Sequence, residues 1–156
     1  MKSGKEDRRV KDTRTVLRQS LLELMKDRPV HKITVTDLCS RADINRNTFY
    51  SHYANPVELL EQIEESLFSE VERTIDQSLK PGAIPAMIAD ICRLIEANRD
   101  LCGILFSEHG DKEFLKRVMF VARDKCMEEW KSASRHKDAS RFEDLYTFIA
   151  NGSVSI

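Results

Sequence analysis

The sequence predicts an all-α protein. Charged residues make up 33% of the 156-residue chain, which contains only five glycines and four prolines, and this composition favours helices over an all-β architecture. Apolar residues recur at helical spacing along most of the chain, and no segment has the clear alternation of a β-strand. Hydrophobic residues, at 41%, are sufficient for the core of one domain or two small ones.

Three helices are predicted in the N-terminal third. The first spans residues 8–26, where apolar side chains follow the helical period, and Pro29 ends it. The second begins after Thr34, whose side chain can cap it, and Asp37 completes a capping box that satisfies exposed backbone N–H groups. The residues expected to form the buried stripe of this helix are Val35, Leu38 and Cys39.

The third helix is predicted to start at Asn45, after a short turn at residues 42–44. Phe49 and, one turn later, Tyr53 are expected to point back to the core. The open face would carry short hydrogen-bonding side chains, which suit the edges of bases in a DNA major groove. The alternative from the pattern alone is a small polar surface helix. The residues left on the open face are Asn45, Arg46, Asn47, Thr48 and Tyr50.

A long helix is predicted over residues 56–79. Asn55 supplies its cap, Pro56 fits the first helical position and Glu58 fits the third. The Lys-Pro-Gly sequence at residues 80–82 is the clearest break in the chain. The residues of this helix that are expected to face inward are Leu59, Leu60, Ile63, Leu67, Val71 and Ile75.

Four more helical segments are predicted after this break. They cover residues 85–97, 101–108 and 111–134, and the last one opens with a capping box at residues 140–143. Their apolar faces are rich in methionine and aromatic residues. These residues either form an ordinary core or line a ligand cavity, since helical bundles bind small molecules through mostly apolar walls. The candidate ligand-binding residues are Met87, Leu105, Phe106, Met119 and Met127.

The sequence lacks the motifs of common enzymes and metal sites. The four cysteines include no CxxC pair, so we expect reduced core residues rather than a zinc site or a disulfide framework, with a redox-sensing Cys102 as the alternative. Glu108, His109 and Asp111 could bind a metal, although an ordinary helix end is the simpler interpretation. No phosphate-binding glycine loop, nucleophile elbow or HExxH motif occurs. We therefore predict no catalytic residue, no cofactor and no bound metal.

Targeting signals are also missing from the sequence. No apolar run approaches the ~20 residues of a membrane span, and the first residues are not followed by the apolar core of a signal peptide. We therefore expect a cytoplasmic protein with no membrane partner.

Charge is distributed unevenly along the chain. Residues 1–56 contain 12 Lys or Arg against 7 Asp or Glu, a net charge of +5, whereas residues 57–156 contain 13 against 19, a net charge of −6. A basic N-terminal unit followed by an acidic one is typical of a DNA-binding module attached to a regulatory body. Chance segregation of charge is the alternative.

Residues 33–53, ITVTDLCSRADINRNTFYSHY, and the helix start NPVELL that follows them form the most informative segment of the chain. This segment resembles the DNA-binding domain of the tetracycline-repressor (TetR) family of bacterial transcription regulators. Its most specific part is residues 48–53, which are similar to the family's T-[FL]-Y-x-H-[FY] ending of the recognition helix. The resemblance extends over residues 8–67.

The resemblance implies a division of the chain into two domains. Residues 1–55 would form a helix-turn-helix DNA-binding domain. Residues 56–156 would form a helical ligand-binding and dimerisation domain, in which residues 56–79 are the connector helix.

The resemblance also implies roles for individual residues. Residues 45–48, which begin the recognition helix, would contact bases and nearby phosphates, with Arg46 a candidate for guanine. Thr36 corresponds to a position that reaches DNA in relatives, and Thr34 caps its helix where the helix N-terminus meets phosphate. The later aromatic residues would hold the DNA backbone, unless Tyr53 packs in the core instead. The complete predicted DNA-binding set is Thr34, Thr36, Asn45, Arg46, Asn47, Thr48, Tyr50, His52 and Tyr53.

By the same resemblance, the chain is expected to be a sequence-specific transcriptional regulator. It would be a repressor that binds a palindromic operator in double-stranded DNA as a homodimer and is released by a small apolar or amphipathic effector. Because no further helix follows the last apolar segment, the C-terminus looks shortened relative to the family. The alternative function is a co-activator or adaptor that keeps the fold but binds a protein partner. The candidate dimer-interface residues are Leu145, Phe148 and Ile149.

Overall fold

A computed structural model of the chain describes residues 3–78, 84–133 and 144. Every regular element within these residues is helical, which confirms the predicted all-α fold class. A short 3-10 turn at Val30–Lys32 separates the first two α-helices. The α-helices in chain order are α1 (Ser3–Met25), α2 (Val35–Ala42), α3 (Arg46–Tyr50), α4 (Pro56–Ser78), α5 (Ile84–Ala97), α6 (Arg99–Leu105) and α7 (Lys112–Ala133).

Two helix boundaries differ clearly from the predicted ones. Helix α1 begins at Ser3 rather than at residue 8, and α6 ends at Leu105 rather than at residue 108. The end of α6 has a local cause, because the Ser107 hydroxyl donates to the Ile104 carbonyl oxygen (2.8 Å) and turns the chain out of the helix. The helix predicted from residue 140 lies outside the described residues.

Gly110 allows the chain to fold back against the end of α6. Its N–H donates to the Ser107 carbonyl oxygen at 3.1 Å, which closes the turn that follows α6. A Cβ atom at position 110 would overlap the carbonyl group of Leu105. Glycine is therefore required here by the close approach of two backbone segments.

Contacts divide the chain into two units, of which the first comprises residues 1–67 and 99–111. In its core, α2 packs against α1 and α3, and α1 also contacts α6. Helix α4 enters this core through its first half, and its capping residues are those predicted. Glu58 N–H donates to Asn55 Oδ1 (3.0 Å), and Ala54 N–H donates to Glu58 Oε2 (2.6 Å). The side chains of this unit that are almost completely buried are Leu17, Leu21, Met25, Leu38, Phe49, Leu59 and Leu105.

The second unit begins at Phe68 and takes in the last part of α4, α5 and α7. Its buried centre is formed by Val71, Ile75 and Met87. At its surface Lys125 Nζ lies 2.7 Å from Asp76 Oδ1, and the Arg117 guanidinium lies over the Phe68 ring at 4.5 Å. The partly buried side chains packed against the centre are Ile91, Leu94, Val118, Val121 and Ala122.

Helical periodicity predicts the buried face of α4 correctly, whereas the apolar stripe of α5 is only partly buried. All six residues of α4 that were expected to face inward are buried. On α5, Cys92 is exposed, so the prediction that every cysteine lies in the core is wrong for this one. It lies between Ile88 and Ile95, which are 53% and 42% exposed. The apolar stripe of α5 is therefore wider than the part of it that α4 and α7 cover.

Cys39 and Cys102 are buried free thiols, as predicted, and the side chain of Cys126 lies outside the described residues. None of the helices in the described part of the chain combines the length and the apolar character that crossing a bilayer requires.

Candidate nucleic-acid interface

The start of α2 is fixed by the predicted capping box. Thr34 N–H donates to Asp37 Oδ2 (2.9 Å), and Asp37 N–H donates to Thr34 Oγ1 (3.1 Å). The Arg28 guanidinium lies 3.1 Å from the same Asp37 oxygen. The hydrogen bonds from Thr34, followed by the charge of Arg28, lower the pKa of Asp37 below its ordinary value. An ionised carboxylate therefore holds the N-terminus of α2 in place.

Asn45 caps the five-residue helix α3. Its Oδ1 accepts from the backbone N–H of Thr48 at 2.8 Å and from the Thr48 hydroxyl at 3.1 Å. The Ser51 hydroxyl donates to the Thr48 carbonyl oxygen at 2.7 Å near the other end of the helix. The polar groups of Asn45 and Thr48 are thus engaged in building the helix, which the sequence pattern alone did not separate from a DNA-contacting role.

Aromatic packing anchors α3 to the first unit. Phe49 is completely buried, and Tyr53, at 5% exposure, is nearly so. The Phe49 ring centroid lies 5.9 Å from that of Tyr53 and 5.6 Å from that of Tyr50, the latter pair being edge-to-face. Burial raises the pKa of Tyr53. These facts support the core-packing alternative for Tyr53, whereas Tyr50 keeps 57% of its surface exposed.

The side chains that face outward from α2 and α3 form the candidate interface. Arg46, Asn47 and Tyr50 of α3 are exposed, and so are Thr34 and Thr36 at the start of α2. Asn45 is exposed as the cap residue, while Thr48 and His52 are half-buried. The structure thus brings eight of the nine predicted DNA-binding residues to the surface at least in part, and Tyr53 is the one that it buries.

A side-chain hydrogen bond joins the two helices on this surface. Arg46 Nη2 donates to Thr36 Oγ1 at 2.7 Å, a short distance that is typical of a bond with a charged donor. The guanidinium charge is also close enough to Cys39 of α2 to oppose the increase in the pKa of that thiol caused by burial. Arg46 is therefore held against α2, a pairing that the sequence pattern does not predict.

The candidate ligand-binding residues are distributed over both units. Leu105 and Phe106 belong to the first unit, where Leu105 is buried and Phe106 is 40% exposed. The three methionines, Met87, Met119 and Met127, belong to the second unit, with Met87 and Met127 buried.

A groove of about 590 Å³ lies along α4 and α5 in the second unit, and none of the five candidate ligand-binding residues lines it. The Asp90 carboxylate in this groove accepts hydrogen bonds from the Ser78 hydroxyl and the Arg93 guanidinium, which lower its pKa. The lining residues are Thr74, Gln77, Ser78, Ala86, Asp90, Arg93 and Leu94.

Within the described residues, no three His, Cys, Asp or Glu side chains are grouped so that they could hold a metal ion. The predicted dimer-interface residues Leu145, Phe148 and Ile149 lie outside the described part of the chain.

Comparison with known proteins gives matches to transcriptional regulators. Residues 83–156 match a TetR-type family model of the transcriptional regulator C-terminal region. The uncharacterized HTH-type transcriptional regulator YxbF of Bacillus subtilis (strain 168) is 36% identical over 66 residues, which are 42% of this chain and 17% of YxbF. The chain therefore spans less than a fifth of that relative.

Two further relatives match different lengths of the chain. The nucleoid occlusion factor SlmA of Marinomonas sp. (strain MWYL1) is 25% identical over 134 residues, which are 81% of this chain and 68% of SlmA. The HTH-type dhaKLM operon transcriptional activator DhaS of Lactococcus lactis subsp. lactis (strain IL1403) is 36% identical over 59 residues, which are 38% of this chain and 32% of DhaS.

Proposed function

Because residues 83–156 match a TetR-type model of the transcriptional regulator C-terminal region, we propose that this chain is a TetR-family regulator that represses transcription by binding a palindromic operator as a homodimer and that a small molecule releases it. The observation that carries the proposal is the outer face of α3. This face presents Arg46, Asn47 and Tyr50 to solvent, while Phe49 anchors the helix from below. The proposal includes a cytoplasmic location, because the protein must reach chromosomal DNA. It assigns no catalytic residue and no cofactor, because DNA binding requires neither.

In the proposed complex, α3 enters the major groove and α2 meets the DNA backbone. Arg46 is the candidate for a guanine, whose O6 and N7 atoms accept two parallel hydrogen bonds from a guanidinium group. Thr34 and Thr36 lie at the start of α2, where backbone N–H groups and hydroxyls can bind a phosphate. Tyr50 is the candidate for a second backbone contact through its hydroxyl group. Base readout and backbone contact are therefore assigned to different side chains of one surface.

The central experiment selects DNA from a library of duplexes with a randomised segment, using the purified full chain as bait. We expect enrichment of one palindrome whose half-sites are centred ~34–36 Å apart, one turn of DNA. Arg46→Ala should weaken binding to that palindrome by ~1–3 kcal/mol and relax the base preference at one position in each half-site. Tyr50→Phe should instead weaken binding to all sequences equally.

Arg93→Ala serves as the matched control for Arg46→Ala. It removes the same charged group from α5 of the second unit, outside the proposed interface. This variant should retain the base preference of the unaltered chain. Failure of the unaltered chain to enrich any sequence would refute the proposed function, and equal losses of Arg46→Ala on the palindrome and on random DNA would reduce Arg46 to a phosphate contact.

The homodimer is proposed because one helix-turn-helix contacts too few base pairs for high specificity. The proposed interface residues are Leu145, Phe148 and Ile149. Replacing Phe148 and Ile149 with Asp should give a folded monomer that no longer protects the palindrome, as measured by analytical ultracentrifugation and footprinting. Val16→Asp, at an exposed apolar position on α1 of the first unit, is the control. If the unaltered chain is monomeric at micromolar concentration and still protects the palindrome, the dimer model is wrong.

The proposal also states that the bound protein lowers transcription and that a small-molecule ligand reverses this effect. A ligand releases DNA only if it binds the DNA-free conformation more tightly than the DNA-bound one. Transcription in vitro from a promoter that overlaps the selected palindrome tests the direction of regulation, because a repressor lowers the yield of transcript. Since the relative DhaS is a transcriptional activator, an increase in transcript is the informative opposite result.

The alternative is a co-activator or adaptor that acts through a protein partner. The observation in its favour is the exposed apolar row of Ile88, Cys92 and Ile95 on α5, within the half of the chain that carries a net negative charge. Under this alternative the DNA selection enriches nothing, and the chain forms a stoichiometric complex with one protein in the absence of DNA.

A further inference from the structure

Thr36 and Arg46 form the side-chain bridge between the two helices of the candidate interface. Arg46 is the first residue of α3 and Thr36 the second residue of α2, and both side chains are exposed. The Nη2–Oγ1 distance of 2.7 Å is that of a well-formed hydrogen bond. The bridge therefore lies on the face proposed to meet DNA, on the side opposite the buried Phe49 and Leu38.

Both ends of this bridge start from fixed backbone positions. Two hydrogen bonds between Thr34 and Asp37, of 2.9 and 3.1 Å, hold the first turn of α2. The Asn45 cap, with its 2.8 Å bond from Thr48 N–H, holds the first turn of α3. An arginine tethered between two such points has fewer conformers than one that extends freely into solvent. Part of the side-chain entropy that Arg46 would lose on binding DNA is therefore already lost in the free protein.

The chemistry of the guanidinium group leaves it able to read a base while it is tethered. Arginine has five N–H donors in a planar fork, and the bond to Thr36 uses one hydrogen of Nη2. Because a guanidinium group offers a two-donor edge on each side of Nη2, one complete edge stays available. That edge matches the O6 and N7 acceptors of guanine. The Thr36 hydroxyl accepts from Arg46, so its own hydrogen can still be donated to a phosphate.

We propose that Thr36 is a positioning residue that holds the Arg46 guanidinium ready to read a guanine in each operator half-site. The proposal rests on the DNA-binding function proposed above and adds to it a determinant of base specificity outside the recognition helix. A threonine that touched only phosphate would contribute equally to every DNA sequence. A threonine that positions Arg46 contributes most where Arg46 meets its guanine.

The test uses Thr36→Val, which keeps the branched shape but removes the hydroxyl, and Thr36→Ser, which keeps the hydroxyl. The palindrome selected by the unaltered chain and the same duplex with the candidate guanine changed in both half-sites are the two probes. Thr36→Val should lower affinity for the first probe by ~3- to 10-fold and for the second by much less. Thr36→Ser should behave like the unaltered chain, and unchanged circular dichroism of both variants verifies the fold.

A double-mutant cycle with Arg46→Ala completes the experiment, because a positioning role acts only through Arg46. In the Arg46→Ala background, Thr36→Val should have no further effect on the ratio of the two affinities. Equal losses by Thr36→Val on both probes would assign Thr36 to phosphate alone and overturn the proposal. Tighter binding by Thr36→Val would show that the bond restrains Arg46, and would overturn it as well. If the unaltered chain enriches no sequence, the proposed function fails and this inference fails with it.

Discussion

The stability of α3 depends on a single buried ring. Helix α3 has only five residues, far fewer than the ~12–15 that a helix needs to be even marginally stable alone in water. Phe49 is its one completely buried side chain, and its ring contacts those of Tyr50 and Tyr53. Replacing Phe49 with Ala removes the ring and both aromatic contacts, and leaves a cavity beneath the helix.

The expected cost of Phe49→Ala is a loss of ~3–5 kcal/mol in the free energy of unfolding of the first unit. The free energy of unfolding of a domain of this size is ~5–15 kcal/mol in total, so this loss leaves the first unit only marginally stable. Phe49→Leu keeps most of the volume and should cost less than ~1.5 kcal/mol. Tyr50→Ala, at a position that is 57% exposed, should cost ~1 kcal/mol or less, chiefly through its edge contact with Phe49.

Urea denaturation followed by circular dichroism measures these losses. Fluorescence of the single tryptophan is unsuitable, because Trp130 belongs to α7 of the second unit. Amide hydrogen exchange resolved by peptide separates the two units, and α3 should lose its protection in Phe49→Ala first. A loss below 1 kcal/mol for Phe49→Ala, or equal losses for Phe49→Ala and Tyr50→Ala, would refute the anchoring role of Phe49.

Three further predictions concern the caps and the thiols. Thr34→Ala should lower stability by ~1 kcal/mol and Thr34→Ser by much less, as measured by urea denaturation, since only the hydroxyl accepts from Asp37 N–H. Because the folded-state pKa of Asp37 is depressed, the stability that its carboxylate contributes is fully present above the ordinary pKa of 3.8 and is lost as pH falls through the lower folded-state pKa. Asp37→Asn should therefore weaken the dependence of the urea midpoint on acid pH. An unchanged dependence would contradict this. Exposed Cys92 should react with iodoacetamide in the folded protein at least ~10-fold faster than Cys39 and Cys102, whose pKa values are raised by burial, as measured by mass spectrometry of the labelled peptides.

Local signals in the sequence account for the correctly predicted parts of the fold. A capping box depends on residues three positions apart, so Thr34 with Asp37 and Asn55 with Glu58 could be identified without tertiary information. The buried face of α4 could be predicted because one apolar stripe recurs every three or four residues over a long helix. Such patterns are fixed by the geometry of one helix alone.

The structural features that the sequence pattern did not predict depend on contacts in space that helical periodicity does not encode. The Arg46–Thr36 bond joins residues ten positions apart across a turn, and no periodicity predicts which rotamer the arginine adopts. The exposure of Cys92 depends on how much of the α5 stripe its neighbours cover, and an apolar residue looks the same in the sequence whether it is covered or not. The early end of α6 depends on a serine hydroxyl competing for a backbone carbonyl.

In α3, the residues that stabilise the helix are different from those on its exposed face, and this separation affects how the DNA specificity of such a regulator can evolve. Asn45 and Thr48 build the cap and Phe49 builds the anchor, so substitutions at these positions reduce stability. Arg46, Asn47 and Tyr50 are exposed, and most substitutions of exposed residues change stability by no more than ~0.5 kcal/mol, apart from the loss of the Tyr50 ring contact or of the Arg46–Thr36 hydrogen bond. If α3 reads DNA as proposed, duplicated copies of the gene can acquire new operators by single substitutions at these three positions, with every intermediate still folded.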